Sequence, residues 1–409
     1  MRRRGWIAVA VLLAATLVTV GAVILVGGSG HHGSGRPVSR HRVAGTPGDR
    51  PTSSSSDALP AAEPVVKGNQ IIDQRTGKTF VPRGVNWSSF EYACTQGWGY
   101  STLDRLTQSD PDRSEALAIA SWGANVVRLP VNEDCWLGTR GAPVSSATVR
   151  RTAAGYRASI TGFIKALNDT GLVVILDLQS RKRPDSDAFG NVAMPDDESL
   201  DFWRSAAALY AGDPSIIFDG FNEPYSRYDP TSGTYALRLT WDCWRDGGCA
   251  APVQDDRQEP LDGQTYTAQG MSAVVAAIRA AGARQPIILG GLDYANDLTG
   301  WLDHRPSDPQ LIAGFHSYPF KDCRTITCWD TDLLPVLATV PVITSEVGDN
   351  SRSGNYVENY VKWANSHKIG WLAWVWEDTP SDPMALIQSD RLTATNPYGI
   401  RVRGLLEHS

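Results

Sequence analysis

An α/β protein closed as a (β/α)8 TIM barrel is the fold this sequence predicts, and three observations carry the prediction. Eight short apolar runs recur between residues 80 and 377, amphipathic helical stretches separate them, and the first run lacks the glycine-rich turn of an open nucleotide-binding sheet. Apolar runs alternating with helices imply parallel strands joined by right-handed crossovers, and eight such units close on themselves. A doubly wound open sheet is the alternative, but "FVPRGVN" is followed by no GxGxxG and no tightly joined helix.

In chain order the runs are "FVPRGVN" (80–86), "ANVVRLP" (124–130), "LVVILDL" (172–178), "SIIFDGFN" (215–222), "PIILGG" (286–291), "LIAGFHSY" (311–318), "VPVITSE" (340–346) and "GWLAWVWE" (370–377). Helical patterns lie between them, as in "DRSEALAIASWG", "RRTAAGYRASITGFIKALNDTG", "SLDFWRSAAALYAGD", "YTAQGMSAVVAAIRAAG" and "NYVENYVKWANSH". Ahead of the first run, "QIIDQRTGKTF" alternates around Gly77 and predicts a hairpin.

The barrel domain is expected to span 65–409, with two different segments before it. Residues 1–27 place Arg2, Arg3 and Arg4 before an uncharged stretch from Trp6 to Gly27, long enough for a hydrocarbon core. The arginines favour the cytoplasmic side, so the remainder is expected outside the membrane, tethered by an uncleaved signal-anchor or secreted if that helix is a cleaved signal peptide. Residues 28–64 are rich in Gly, Ser and Pro and read as a flexible linker, in which His31 and His32 are taken as exposed and unengaged.

Composition excludes some partners and leaves others open. At 42% hydrophobic over 409 residues the chain can bury a large core, although length alone does not settle domain count. The net charge is −6, and because residues 1–64 carry a surplus of four positive charges the rest is at −10. Such a domain repels phosphate backbones, so nucleic acid is not an expected partner. Fourteen tryptophans suit either core packing or flat platforms for sugar faces. The six cysteines fit an oxidising compartment: Cys243 with Cys249 and Cys323 with Cys328 can each staple one loop, leaving Cys94 with Cys135. Metal binding is the rival reading of the cysteines, but no CxxC or HxxxH spacing supports it, and neither a metal nor another cofactor is expected.

In a barrel of this kind functional side chains emerge at the carboxyl ends of the strands. Those ends hold Asn86 and Trp87, Arg128, Asp177 and Gln179, Asn222 and Glu223, Asp293, His316 and Tyr318, Glu346, then Trp374, Trp376 and Glu377. Pro224 holds Glu223 extended at the lip of the fourth strand, because the residue before a proline avoids the helical region. Glu346 ends the seventh run, so the two glutamates can face one another across the barrel mouth. Paired carboxylates divide a specific labour: one protonates a leaving glycosidic oxygen while the other attacks the anomeric carbon or activates water.

"RGVNWSSFE", "GANVVRLPVNED", "FDGFNEP", "GFHSYP", "ITSEVG" and "GWLAWVWED", in this order on successive strands, resemble glycoside hydrolase family 5, the endoglucanase-like retaining glycosidases. The resemblance covers about residues 70–378 and implies hydrolysis of a β-linked glycan, β-glucan or cellulose-like, through a covalent glycosyl-enzyme intermediate. Carried over position by position, it makes Glu223 the general acid/base and Glu346 the nucleophile. Asn222 would then bond the sugar 2-hydroxyl, Arg128 would lie beneath the nucleophile, Tyr318 would donate to it, and His316 would sit by the acid/base. Trp374 and Trp376 are expected to share a strand face, with Trp374 flooring the subsite of the reacting sugar and Trp376 as the second choice; Asn86, Trp87 and Gln179 complete the expected binding set. Gln179 stands where the family usually has histidine, and it cannot carry a proton charge. A surface carbohydrate-binding protein without turnover, and a metal-dependent barrel hydrolase, are the alternatives from other classes.

Overall fold

Eight parallel strands pair in sequence order and the last pairs with the first. They are β1 (Arg83–Trp87), β2 (Val126–Asn132), β3 (Val173–Lys182), β4 (Ile216–Asp219), β5 (Ile287–Gly290), β6 (Leu311–Ser317), β7 (Val342–Val347) and β8 (Gly370–Trp376). Each pairs in parallel with its neighbour, and β8 closes the ring on β1 through Trp371–Arg83 and Leu372–Gly84. The computed structural model describes residues 60–102, 109–146, 151–183, 186–388 and 392–408. The expected membrane segment and nearly all of the expected linker lie outside them, and no described helix is long and apolar enough to cross a membrane.

Helices start where the sequence supplies a cap. Thr152 accepts from the Gly155 amide to open the helix Ala153–Asn168, and Asp196 forms a reciprocal capping box with Ser199 ahead of Asp197–Tyr210. Met271–Ala280 and Asn355–Ser366 are the longest crossovers before β5 and β8. After β5 the repeat departs from the expected pattern. A left-handed turn at Asp293, Tyr294 and Ala295 and the short helix Trp301–His304 stand where a long helix is expected.

Side-chain alternation sorts the strands into two cores. Val126, Val173, Ile175, Ile217, Ile288, Ile312, Ile343 and Leu372 point inward and fill the lower barrel, while their neighbours pack under the helices. Eight of the fourteen tryptophans, Trp87, Trp136, Trp203, Trp244, Trp301, Trp329, Trp371 and Trp376, are fully buried in that outer layer, so most of the unusual tryptophan content is packing. The barrel floor is stopped by an antiparallel hairpin, Pro64–Lys67 with Gln70–Asp73, whose Val66 and Ile71 join the inner cluster. Gly77 does turn the chain as expected, with its amide on the Asp73 carbonyl, but it leads only to a single bridge, Ile72–Thr79. The longer pairing turns at Gly68, upstream of the expected hairpin.

Two strand lengths differ from expectation. β4 stops at Asp219, not Asn222, yet its ladder continues: the Gly220 amide donates to Ile288 O at 2.9 Å and the Asn222 amide to Leu178 O at 3.1 Å. β3 runs on to Lys182 because its end leaves the barrel and pairs with Phe189–Gly190. All six cysteines are bonded in the expected pairs, Cys94–Cys135, Cys243–Cys249 and Cys323–Cys328.

Candidate active site

Two residues above the aliphatic layer, the same inward faces turn polar. Arg128 follows Val126, Asp177 follows Ile175 and Asp219 follows Ile217, each by one strand period. A fully buried guanidinium must have partners, and Arg128 has them on every side. Its Nη1 donates to Glu346 Oε1 at 2.8 Å and Asn86 Oδ1 at 3.0 Å, its Nη2 to Asn222 Oδ1 at 2.8 Å, and its Nε to Asp219 Oδ2 at 2.9 Å. Asp177 Oδ1 is 3.0 Å from Nη2 but out of line for a hydrogen bond. One cation thus faces three carboxylates. Burial, and then the charges of Asp219 and Glu346, outweigh the arginine and push the Asp177 carboxyl above its usual range.

Glu346 ends β7 with both oxygens engaged. Tyr318 OH donates to Oε2 at 2.6 Å, opposite the Arg128 bond on Oε1. Burial and the neighbouring Glu346 charge push the Tyr318 phenol far up, so it remains a donor across the working pH range. Across the mouth lies Glu223, whose Oε1 is 2.9 Å from His316 Nδ1; His316 Nε2 is 3.1 Å from Ser345 Oγ. An imidazole donating from Nδ1 to the carboxylate leaves Nε2 to accept from the serine. Lys321 Nζ stands 3.9 Å from the same Glu223 oxygen. Burial raises the Glu223 carboxyl, but the Lys321 charge, the His316 hydrogen bond and charge, and Arg128 together bring it below the usual glutamate range. Glu223, His316 and Glu346 each offer an atom within 4.8 Å of the others.

Glu223, Glu346, Asn222, Arg128, His316, Tyr318, Asn86 and Gln179 therefore converge. Gln179 is the loosest, 3.5 Å from Arg128 Nη1, and it lines a small crevice with Arg181 and Phe221. Asn222 has its Oδ1 fixed by Arg128, which leaves Nδ2 buried and without a partner among the described residues.

Two expected residues are elsewhere. Trp87 follows Asn86 on β1, so it faces outward; its Nε1 donates to Glu115 at 2.8 Å and its ring packs on Phe163. Trp376 does not share a face with Trp374. A register shift in β8 between Ala373 and Trp376 inserts one residue, which turns Trp376 out against Trp122 and leaves the half-buried Trp374 on the face of inward Leu372. Asp219, Ser345 and Lys321 were absent from the expected set. Asp219 was detectable, since a charge on the inward parity of β4 needs a buried partner; Lys321 sits on a loop, where the sequence carries no such signal.

The profile of the cellulase family, glycosyl hydrolase family 5, matches residues 77–380. The chain belongs to that family. It is a glycoside hydrolase, and the barrel is shared with solved members of similar shape. A β-glucanase from Saccharophagus degradans is 20% identical with a TM-score of 0.61, covering 88% of this chain and 98% of its own. The catalytic domain of a Thermobifida fusca endoglucanase is 16% identical with a TM-score of 0.57, over 84% and 97%. An endocellulase from Pyrococcus horikoshii, solved as a complex with cellotetraose, is 17% identical with a TM-score of 0.60, over 85% and 100%.

Proposed function

We propose that this family 5 hydrolase cleaves a β-linked glucan with retention of configuration, Glu346 acting as nucleophile and Glu223 as general acid/base. The observation that carries the reading is the closeness of the two carboxylates, whose oxygens approach within 4.8 Å. Retaining glycosidases hold their carboxyl groups about 5–5.5 Å apart, and inverting ones leave about 6.5–9.5 Å for a water.

The neighbours of Glu346 suit it to its task. Arg128 and Tyr318 engage both oxygens of Glu346, which fixes its aim at the anomeric carbon. Glu223 gives its proton to the glycosidic oxygen as the C–O bond breaks; water then gives a proton back to Glu223 while attacking the glycosyl ester. The free Nδ2 of Asn222 is a donor for the sugar 2-hydroxyl, a contact that strengthens as positive charge develops on the ring. Trp374 would floor the subsite of the reacting sugar. The β-glucan choice rests on the names of the β-glucanase and endocellulase of like fold. We further propose that the barrel works outside the cell, held by the segment 1–27 or released from it, a reading supported by three disulfide bonds.

The test is reducing-sugar release from a panel of β-linked polysaccharides, with Glu346→Gln as the blank, and proton NMR of the first product. The β anomer should appear first, and Glu346→Gln should lose on the order of 10⁴-fold or more in kcat. An α anomer appearing first from a β-linked substrate would sink the retaining reading; release undiminished by the substitution would sink the assignment of Glu346.

A further inference from the structure

We propose that Lys321 is a positioning residue for Glu223, and that its ammonium group sets where on the pH scale the hydrolase works. The inference rests on the acid/base reading of Glu223 and adds a group to it. Lys321 lies on the loop after β6, its side chain only 12% exposed, with Nζ 3.9 Å from Glu223 Oε1.

One aromatic contact, itself anchored, holds the ammonium there. It sits 4.0 Å over the ring of Tyr294, which stacks on Tyr225 with centroids 4.6 Å apart and planes 2° from parallel. The Tyr294 amide donates to Pro224 O at 2.9 Å, next in sequence to Glu223. To make that contact Asp293, Tyr294 and Ala295 run consecutively through left-handed backbone, at φ 52°, 58° and 59°, a conformation that costs non-glycine residues about 1–3 kcal/mol each. The loop is held from its other end too: Asn296 accepts from the Cys323 amide at 2.8 Å and donates to His316 O at 2.8 Å, and Cys323 is bonded to Cys328. The ring under the ammonium is thus carried on three successive left-handed residues beside the Glu223 strand end.

The charged and titratable groups facing Glu223 come from every wall. His316, Tyr318 and Lys321 come from β6 and its loop, Glu346 from β7, Arg128 from β2, Asp293 and Tyr294 from the turn after β5, and Asp256 from the long loop after β4. The Lys321 charge is one of three pulls that lower the Glu223 carboxyl, with the His316 hydrogen bond and charge and the Arg128 charge. When Glu223 hands its proton to the glycosidic oxygen, the leaving alcohol departs neutral and the new carboxylate is left beside the lysine. Glu223 is thereby a stronger acid, and it loses its proton at lower pH than burial alone would dictate.

The measurement is kcat/KM against pH for the unaltered enzyme, Lys321→Met and Lys321→Arg, with Lys321→Gln in reserve should the methionine variant not fold and thermal melts to confirm folding. The basic limb, where free Glu223 must keep its proton, should move up by about one pH unit in Lys321→Met and stay in place in Lys321→Arg. With an aryl glycoside whose second step limits the rate, the acidic limb of kcat should rise as well, since Glu223 must then be ionised. A Lys321→Met enzyme slowed by one factor at all pH values, limbs unmoved, would overturn the proposal and leave the lysine a packing role. Glu223→Ala separates this from failure of the parent reading: if it keeps full activity, the acid/base assignment itself falls; if it loses activity and azide restores aryl-glycoside cleavage, only the lysine is at issue.

Discussion

Glu133 is a carboxylic acid in surroundings that disfavour its charge. It is buried just after β2 with one oxygen on Ser199 and the other, Oε1, without a hydrogen-bond partner among the described residues. Burial, then the charge of Asp196, hold its carboxyl well above the usual range in spite of Arg181. A carboxyl raised on folding adds stability that is complete below its unfolded value of about 4.5 and fades as pH climbs toward the folded value. Glu133→Gln removes that dependence. Its melting temperature relative to the unaltered protein should therefore increase between pH 5 and pH 8, by at most about 1.4 kcal/mol per pH unit of equivalent stability. A constant offset across that range would show that Glu133 is ionised in the fold. Glu223 and Glu346 were legible because strand ends expose them and Pro224 marks one of them. Glu133 was not, because nothing in "VNED" says which acid is buried.

Among elements, β8 separates what a strand pattern can and cannot tell. Its range was legible from "GWLAWVWE", yet alternation assigned Trp376 to the wrong face, because one inserted residue inverts every side chain beyond it and leaves no mark in composition. The two tryptophans should accordingly behave differently. Trp376→Ala removes a fully buried ring packed on Trp122 and should lower stability by about 3–5 kcal/mol with KM unchanged in what folds. Trp374→Ala should raise KM for glucan several-fold with little change in the melt. The reverse pattern in denaturant titration and kinetics would return Trp376 to the cleft. Trp87 makes the same point on β1, where the alternation was regular and Asn86 alone could face inward.

At the scale of the whole molecule, periodicity gave the barrel, since eight runs and their crossovers repeat a pattern that only closure satisfies. The floor of the barrel was less visible. Val66 and Ile71 flank a turn just after the expected linker, and their burial depends on strands as far along the chain as that of Leu372. At the other end of the chain, Val402 and Leu406 of the helix Tyr398–Glu407 are also buried.

The hairpin under the barrel bears on how the protein is produced. The homology match starts at 77 and finishes at 380, so a recombinant fragment trimmed to those limits would lack the floor hairpin and the final helix alike. Its lower mouth would expose a ring of isoleucine and valine to solvent, and we expect such a fragment to aggregate or elute as large particles in gel filtration while one spanning 60–408 runs as a discrete species. A monodisperse, active 77–380 fragment would show the stopper to be dispensable.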